Sequence, residues 1–242
     1  ADHEKKSGSS FELRLNTFFA NSESNLSLTS PESAVPLSLE PQFELDDSSV
    51  SFPFDLIWRF GQFHRLEFGY FRLQQSGVSI LNAPLSIGEV TFTTGDTVRS
   101  DFETTIYKIG YAFSLIHDAQ KELSLFGGAH ITDVTYRSAS DGASVSTTTT
   151  AFLPVIGAEL AVNFSDDISL ETQLQFFAMD FNRYSGNMLN VGVTGYYRWF
   201  DRVSIGAGYR FYKQDVDSGD EDFFGDYRFE YHGPVVSVRA RF

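Results

Sequence analysis

The sequence predicts an all-β fold: a transmembrane, antiparallel, up-and-down β-barrel of about ten strands, formed as a single domain over residues 1–242. Two observations predict it. About ten segments alternate apolar, aromatic-rich positions with polar or charged ones, which is typical of strands with lipid outside and a polar lumen inside. The connections between these segments are alternately short and long, as in barrels with tight turns on one side of the membrane and extended loops on the other.

Composition agrees with this fold class and excludes several others. The chain has 25 Phe and 11 Tyr against 2 Trp, and such an excess of rings suits aromatic girdles at the membrane interfaces. No apolar stretch reaches about 18 residues, so a helical span is excluded by length. The absence of cysteine excludes disulfides and thiolate chemistry. The net charge of −14 disfavours nucleic-acid binding. The polar opening, ADHEKKSGSS, is typical of a mature exported chain.

Each predicted strand shows the same alternation. The first is FELRLNTFF, and the second is SFPFDLIWRF, in which Phe54, Leu56 and Trp58 share one face while Asp55 and Arg59 share the other. The other eight are, in order, RLEFGYF, IYKIGYAFSL, ELSLFGGAHITDV, AFLPVIGAELAVNF, ISLETQLQF, LNVGVTGYYRW, VSIGAGYRFY and VVSVRARF. Most of them approach the 9 to 11 residues, roughly, that a tilted strand needs to cross the hydrocarbon layer.

The connections set the orientation of the barrel. Short turns are predicted near residues 61–64, 116–121, 165–167 and 201–202. Long external loops are predicted at residues 21–49, 75–99, 138–149 and 214–225. Both termini then lie in the periplasm. An inner aromatic girdle is expected at the short-turn end, formed by Trp58, Phe60, Phe63, Phe113, Phe164, Trp199, Phe200 and Phe242.

Twelve strands are the alternative. The apolar phase shifts between Phe43, Leu45 and Phe52, and VSILNAPLSIGEVTF has the pattern of a further hairpin. Ten is favoured because Pro41 and Pro84 interrupt these two segments and weaken ladder pairing. Hairpins standing above the membrane would account for both.

The closing strand carries a resemblance to a known group. Val236, Val238, Ala240 and Phe242 form its apolar face, and the last residue is aromatic. With AFLPVIGAEL and the SDD turn that follows that strand, this pattern resembles the small outer-membrane β-barrels of Gram-negative bacteria. The resemblance implies residence in the bacterial outer membrane, contact with outer-membrane lipids and lipopolysaccharide, and insertion by the barrel assembly machinery. It is specific for architecture and carries no activity.

The inward faces predict a lumen lined by charges of both signs: Glu12, Arg14, Asp55, Arg59, Arg65, Glu67, Lys108, Glu159, Glu171, Arg198, Arg210, Arg239 and Arg241. Small barrels are largely filled by side chains, so one interpretation is a salt-bridged plug. The other is a narrow, porin-like passive channel in which Arg198 and Arg210 favour a small anionic solute. No cofactor and no metal are expected.

The external connections are acidic. Residues 21–49 contain six carboxylates and no Lys or Arg, and DVDSGDED crowds the last connection. Such clusters either repel one another in solvent or bind calcium, although DVDSGDED lacks the full spacing of an EF-hand loop. The function that fits best is a narrow passive channel, or a structural and binding scaffold with acidic surface loops.

An outer-membrane surface enzyme is the alternative function. An omptin-like protease needs acidic groups and an Asp–His pair at the outer rim, for which Asp46, Asp47, His130, Asp133 and His232 are candidates. His130 and Asp133 are three residues apart on one strand and therefore face opposite sides. A lipid A-modifying hydrolase would need a His with Ser or Asp near the membrane surface, and serines are too frequent here to identify one.

Overall fold

The computed structural model describes residues 9–30, 33–38, 48–87, 90–181, 184–220 and 223–242. These residues form strands β1 (Ser10–Ser30), β2 (Ser33–Ser38), β3 (Ser48–Ser51), β4 (Phe54–Phe60), β5 (His64–Ile80), β6 (Leu85–Ile87), β7 (Val90–Phe92), β8 (Thr97–His117), β9 (Lys121–Ala139), β10 (Ser144–Asn163), β11 (Ile168–Phe181), β12 (Tyr184–Phe200), β13 (Val203–Asp220) and β14 (Phe223–Arg241). Within these ranges, no helix is long and apolar enough to cross a membrane.

The strands close into one antiparallel barrel. The order is β14-β13-β12-β11-β10-β9-β8-β5-β4-β1, and β14 pairs with β1 to complete the circle. Ten strands therefore surround the axis, and the prediction of ten rather than twelve is confirmed. The strands β2 and β3 also pair with β1, while β6 and β7 form a separate hairpin.

Closure depends on the two ends of the described chain. Glu12 lies opposite Arg241 in the β1–β14 ladder, and the amide of Phe242 donates to the carbonyl of Phe11 over 2.8 Å. On the other side of β1, β3 and β4 follow one another along the same edge, separated by Phe52 and Pro53. Proline has no amide to donate, so the ladder is interrupted there, and the Pro53 carbonyl still accepts from the amide of Asn16. The barrel therefore has no open edge around this strand.

Most of the residues expected as long loops continue the strands. β5 extends to Ile80, β8 begins at Thr97, and β13 and β14 reach Asp220 and Phe223. The segment VSILNAPLSIGEVTF contributes the end of β5 and the β6–β7 hairpin, whereas Phe43 and Leu45 lie outside the described residues. Ladder pairing continues because each extended strand hydrogen-bonds to an extended neighbour, which needs no apolar face.

The outer wall is apolar and exposed. Large outward side chains include Phe54 at 42 % exposure, Ile109 at 47 % and Leu174 at 43 %. The residues expected in the inner girdle lie at the short-turn end, and Trp199 stacks on Phe200 with ring centroids 5.8 Å apart. An exposed apolar surface of this extent is unfavourable in water and favourable in lipid.

The outer limit of this wall is marked by outward-facing ion pairs. Arg72 on β5 lies 2.7 Å from Glu103 on β8, and Arg228 on β14 lies 2.7 Å from Asp215 on β13. Beyond Arg72 the outward face of β5 is mixed, with Gln74 and Ser76 beside the exposed Val78 and Ile80. The ladders continue past the ion pairs, so the strands extend from the lipid layer into the external solvent.

Candidate functional site

The lumen divides into a charged vestibule and an apolar layer. The vestibule is a cavity of about 370 Å³ that reaches the short-turn end, where Ser10, Asp118 and Lys121 line it. Its wall contains most of the predicted charged residues: Glu12, Arg14, Asp55, Arg59, Arg65, Glu67, Lys108, Glu159, Glu171, Arg210 and Arg241. Arg239 lies behind this wall, only 4 % exposed, whereas Arg198 is exposed near the rim and does not line the cavity.

A first ion-pair cluster joins β1, β11 and β14 at the barrel closure. Arg14 contacts Glu12 at 2.5 Å and Glu171 at 3.0 Å. Arg239 forms a close ion pair with the same Glu171, and Arg241 contacts Glu12 at 2.6 Å. Two carboxylates thus hold three guanidinium groups, of which Arg14 and Arg239 are largely withdrawn from solvent while Arg241 is exposed. Shared partners of this kind reduce the cost of burying several like charges together.

Arg239 is also held by an aromatic ring. Its guanidinium carbon lies 3.9 Å from the centroid of the Tyr196 ring, and this ring in turn lies over Gly206. A Cβ at Gly206 would approach Tyr196 Cδ1 to 2.6 Å, so glycine is what allows the ring to lie flat against the wall. The cation–π contact gives the guanidinium a further favourable partner inside the lumen.

A second cluster is centred on Arg65 of β5. Its guanidinium forms a close ion pair with Glu159 and contacts Glu67 at 3.2 Å and Glu122 at 3.3 Å. Glu122 also accepts two hydrogen bonds from Arg59, at 2.7 and 2.8 Å. These contacts join four strands across the lumen, which braces the inner half of the barrel.

Glu122 is a member of this cluster that the sequence did not identify. It begins the segment ELSLFGG, where Leu123 and Leu125 face outward and Ser124 faces inward. Strict alternation places Glu122 on the inward face with Ser124, and that parity was the available signal. Glu122 was overlooked because it lies directly after the predicted turn at residues 116–121.

The turn itself is stabilised by a carboxylate. The Asp118 side chain accepts hydrogen bonds from the amides of Gln120 and Lys121, at 2.8 and 2.9 Å. These two donors lower the pKa of Asp118, because they stabilise its charged form. The negative charge at the vestibule mouth is therefore retained at neutral pH.

Two cations at the deep end of the vestibule, farthest from the short turns, form no ion pair within the described part of the chain. Among the described residues, no carboxylate lies within 4.0 Å of Lys108 or Arg210, and Arg210 Nη1 is buried without a hydrogen bond. Asp55 is the nearby acid, in the same cross-strand row as Gly69 and Lys108, and it accepts a hydrogen bond from Asn16 at 3.3 Å. This part of the wall consequently carries excess positive charge.

Above the vestibule, stacked rings fill the lumen. Tyr231 is fully buried between Tyr212 and Phe71, with centroid distances of 4.8 and 4.7 Å and nearly parallel planes. Phe18 and Phe229 meet the same ring edge-on, at 5.4 and 5.2 Å. These five residues, which are called the aromatic layer below, each have 0 % exposure.

The apolar filling continues outward from the aromatic layer. Leu73, Phe102 and Tyr136 belong to the same buried cluster. Phe92 of the β6–β7 hairpin is also part of it, with 0 % exposure, as is Leu81. The hairpin therefore covers the outer end of the barrel with apolar side chains. Within the described residues, the outer half of the lumen is packed like the core of a soluble domain.

Of the residues considered for an omptin-like protease, the three that the structure describes are not assembled. His130 is buried inside the lumen and stacks on Tyr212, with centroids 6.4 Å apart. Asp133 faces outward and accepts a hydrogen bond from Thr150 at 2.6 Å. His232 faces outward from β14 and bonds the Tyr209 hydroxyl at 2.7 Å. Asp46 and Asp47 lie outside the described residues.

Comparisons with known proteins agree on the fold. No protein-family model matches the chain, and no curated protein matches it by sequence. Among solved structures, it is similar to the outer membrane protease OmpT from Escherichia coli, with a TM-score of 0.62, 9 % identity and 98 % of each chain covered. It is also similar to the translocator domain of the autotransporter NalP from Neisseria meningitidis, with a TM-score of 0.50, 10 % identity, and 98 % of this chain and 89 % of that one covered. The chain thus has the fold of bacterial outer-membrane β-barrel proteins, and its apolar outer wall is the surface that such a location requires.

Proposed function

We propose that the protein is an occluded outer-membrane barrel that serves as a scaffold for its external hairpins rather than as a continuous channel. The observation that carries this proposal is the aromatic layer. Phe18, Phe71, Tyr212, Phe229 and Tyr231 meet one another across the lumen with no solvent exposure. Hydrated ions cannot pass through a close-packed set of rings without displacing them.

The external hairpins are the parts that such a scaffold would present. β9 and β10 continue in register to Ala139 and Ser144, well beyond the outward-facing Asp133. Rigid paired strands hold a binding surface at lower entropic cost than flexible loops. The acidic residues of the outer connections favour a cationic or cation-bridged partner.

Lipopolysaccharide is the lipid that we infer at the outer boundary. Arg72, Arg137 and Arg228 face outward near the limit of the apolar wall, and their side chains are 49 %, 54 % and 62 % exposed. A guanidinium carries five N–H donors, more than the single contacts of Arg72 and Arg137 with Glu103 use. Phosphate groups accept such donors readily.

Planar-bilayer recording tests the occlusion. The wild-type protein should give no ion-conductance steps, because the aromatic layer closes the lumen. Conductance should appear in the triple variant Phe71→Ala, Tyr212→Ala and Tyr231→Ala, which removes the central stack. The matched control Phe54→Ala and Tyr70→Ala removes a stacked pair from the outer wall, 5.6 Å apart, and should stay silent.

A contrary result would be equally clear. Regular conductance steps from the wild type would contradict occlusion. If those steps shrank on Arg210→Ala, a narrow anion-favouring channel would replace the scaffold as the function. Circular dichroism on each preparation verifies that the variants retain the barrel.

A further inference from the structure

We infer that the deep end of the vestibule, farthest from the short turns, is a binding site for a small anion of the carboxylate or phosphate type, held by Lys108 and Arg210. This inference goes beyond the scaffold function and does not depend on it, because an open channel could hold the same site. It rests on the pairing of charges along the vestibule wall.

The wall pairs its other inward arginines internally. Arg14 and Arg241 share Glu12, and Arg59 and Arg65 share Glu122, all within 4.0 Å. Lys108 and Arg210 differ from them, since neither has a carboxylate within that distance among the described residues. Arg210 Nη1 is moreover buried and without a hydrogen-bond partner.

A buried guanidinium nitrogen without a partner is costly, since it has lost water and gained nothing in return. Asp55 offsets one of the two positive charges from the side of Lys108 and also accepts a hydrogen bond from Asn16. One positive charge remains uncompensated among these three groups. An anion bound in the cavity beside Lys108 and Arg210 would supply the missing negative charge.

Glycines on the neighbouring strands leave room around both cations. Arg210 lies between Gly192 of β12 and Gly233 of β14 in the ladder. A Cβ at Gly192 would lie only 3.9 Å from Arg210 Nε. Lys108 lies beside Gly69, where a Cβ would come within 3.2 Å of Lys108 Cδ and within 2.8 Å of Asp55 Oδ1. The glycines therefore let the side chains of Arg210, Lys108 and Asp55 lie against the wall, and all three line the cavity.

The shape of the cavity fixes the direction of access and the size of the ligand. The deep part of the cavity is lined by Lys108, Arg210 and Gln175. Its mouth, at the short-turn end, is lined by Asp118 and Lys121. The aromatic layer closes the opposite side. The volume of about 370 Å³ is at the lower end of small-molecule sites. The ligand is consequently a small periplasmic anion that enters past the short turns.

Arg210 and Lys108 would contribute differently to recognition of the anion. Arginine offers parallel N–H donors that match the two oxygens of a carboxylate or phosphate, while lysine supplies a point charge. Both anion types present this pattern. The choice between them is left to the titration.

Isothermal titration of the purified full-length barrel in detergent, at low ionic strength, tests the site with two probes, succinate and inorganic phosphate. The wild type should bind at least one of them saturably. The double variant Lys108→Gln and Arg210→Gln should bind it at least tenfold more weakly. The matched control Arg198→Gln and Arg202→Gln removes the same charge from exposed rim positions that do not line the cavity and should change the affinity less than twofold.

Saturable binding of succinate alone, phosphate alone or both would support the site and identify its preference. Absence of saturable binding to either probe would overturn it. Equal affinity in the Lys108/Arg210 double variant would also overturn it, since the anion would then be held elsewhere. Heat-induced mobility shift on gels verifies that both double variants are folded. Bilayer recording, which reports occlusion, is unaffected by either outcome.

Discussion

An arginine on the outer wall should be costly only where the wall meets lipid, and Leu174 and Val78 provide the comparison. Leu174 lies six residues after Ile168, the first residue of β11. At about 3.3 Å per residue and a tilt of about 40°, that is about 15 Å from the inner edge, near the middle of an apolar band about 25 Å tall. Val78 lies fourteen residues after His64 on β5, which by the same arithmetic is about 35 Å and beyond the band. Their exposures are similar, at 43 % and 53 %.

Leu174→Arg should therefore lower the free energy of unfolding by about 2–4 kcal/mol, whereas Val78→Arg should change it by less than about 1 kcal/mol. Reversible guanidinium unfolding of the barrel in phospholipid vesicles, followed by tryptophan fluorescence, measures both values. Equal costs at the two positions would refute the assignment of the lipid layer. A cost for Val78→Arg alone would place the lipid layer around the outer part of the strands instead.

Two pairs of substitutions test the packing of the interior, and one titration tests the short turn at Asp118. Gly110→Ala places a Cβ 2.2 Å from Phe126 Cζ and should cost about 1–3 kcal/mol, while Gly127→Ala, with nothing within 4 Å, should stay within about 0.5 kcal/mol in the same unfolding assay; equal values would contradict the packing. Glu171→Gln leaves Arg14 and Arg239 without their shared carboxylate and should cost about 3 kcal/mol, at the lower end of the range for broken buried pairs because Glu171 is 16 % exposed. Glu230→Gln, at an outward-facing side chain that is 25 % exposed and lies 3.7 Å from Lys213, should cost less than about 1 kcal/mol, and a similar loss from both variants would refute the cluster. Because its pKa is lowered, Asp118 stabilises the turn above its ordinary value of 3.8, and that contribution is lost as pH falls through the lower folded value; an NMR titration should find the Asp118 midpoint below 3.8, and a midpoint at or above it would contradict the hydrogen bonds.

The sequence was sufficient for the barrel because strand parity is local information. Trp58 and Asp55 on β4 fall on opposite faces by counting alone, and the structure exposes the ring outward and directs the carboxylate into the vestibule. The strand number followed in the same way, since each short turn separates two alternating segments. Among the strands, the outer extensions were missed, because Ser- and Thr-rich strands resemble loops in composition.

The partners of the lumen charges could not be predicted. Arg65 and Glu159 are separated by 94 residues, and their contact depends on how strands on different sides of the barrel are staggered. Local alternation does not determine that stagger.

The aromatic layer could not be predicted for a different reason. In GYFRL, Tyr70 faces outward and Phe71 inward, so both faces of β5 are aromatic at that point. The rule that apolar side chains face lipid holds only where the lumen is wet. At the aromatic layer the lumen is filled by side chains, and aromatic residues occupy both faces of the strand.

Thiol labelling from each side of the membrane tests most directly whether the aromatic layer separates the vestibule from the exterior. The chain has no cysteine, so Thr194→Cys adds a single thiol to the vestibule wall. In oriented proteoliposomes, Asp118→Cys and Asp141→Cys, at exposed positions and in separate preparations, mark the short-turn side and the outer side. The account predicts that a charged maleimide labels Cys at position 194 only from the short-turn side. Labelling at comparable rates from both sides would contradict it.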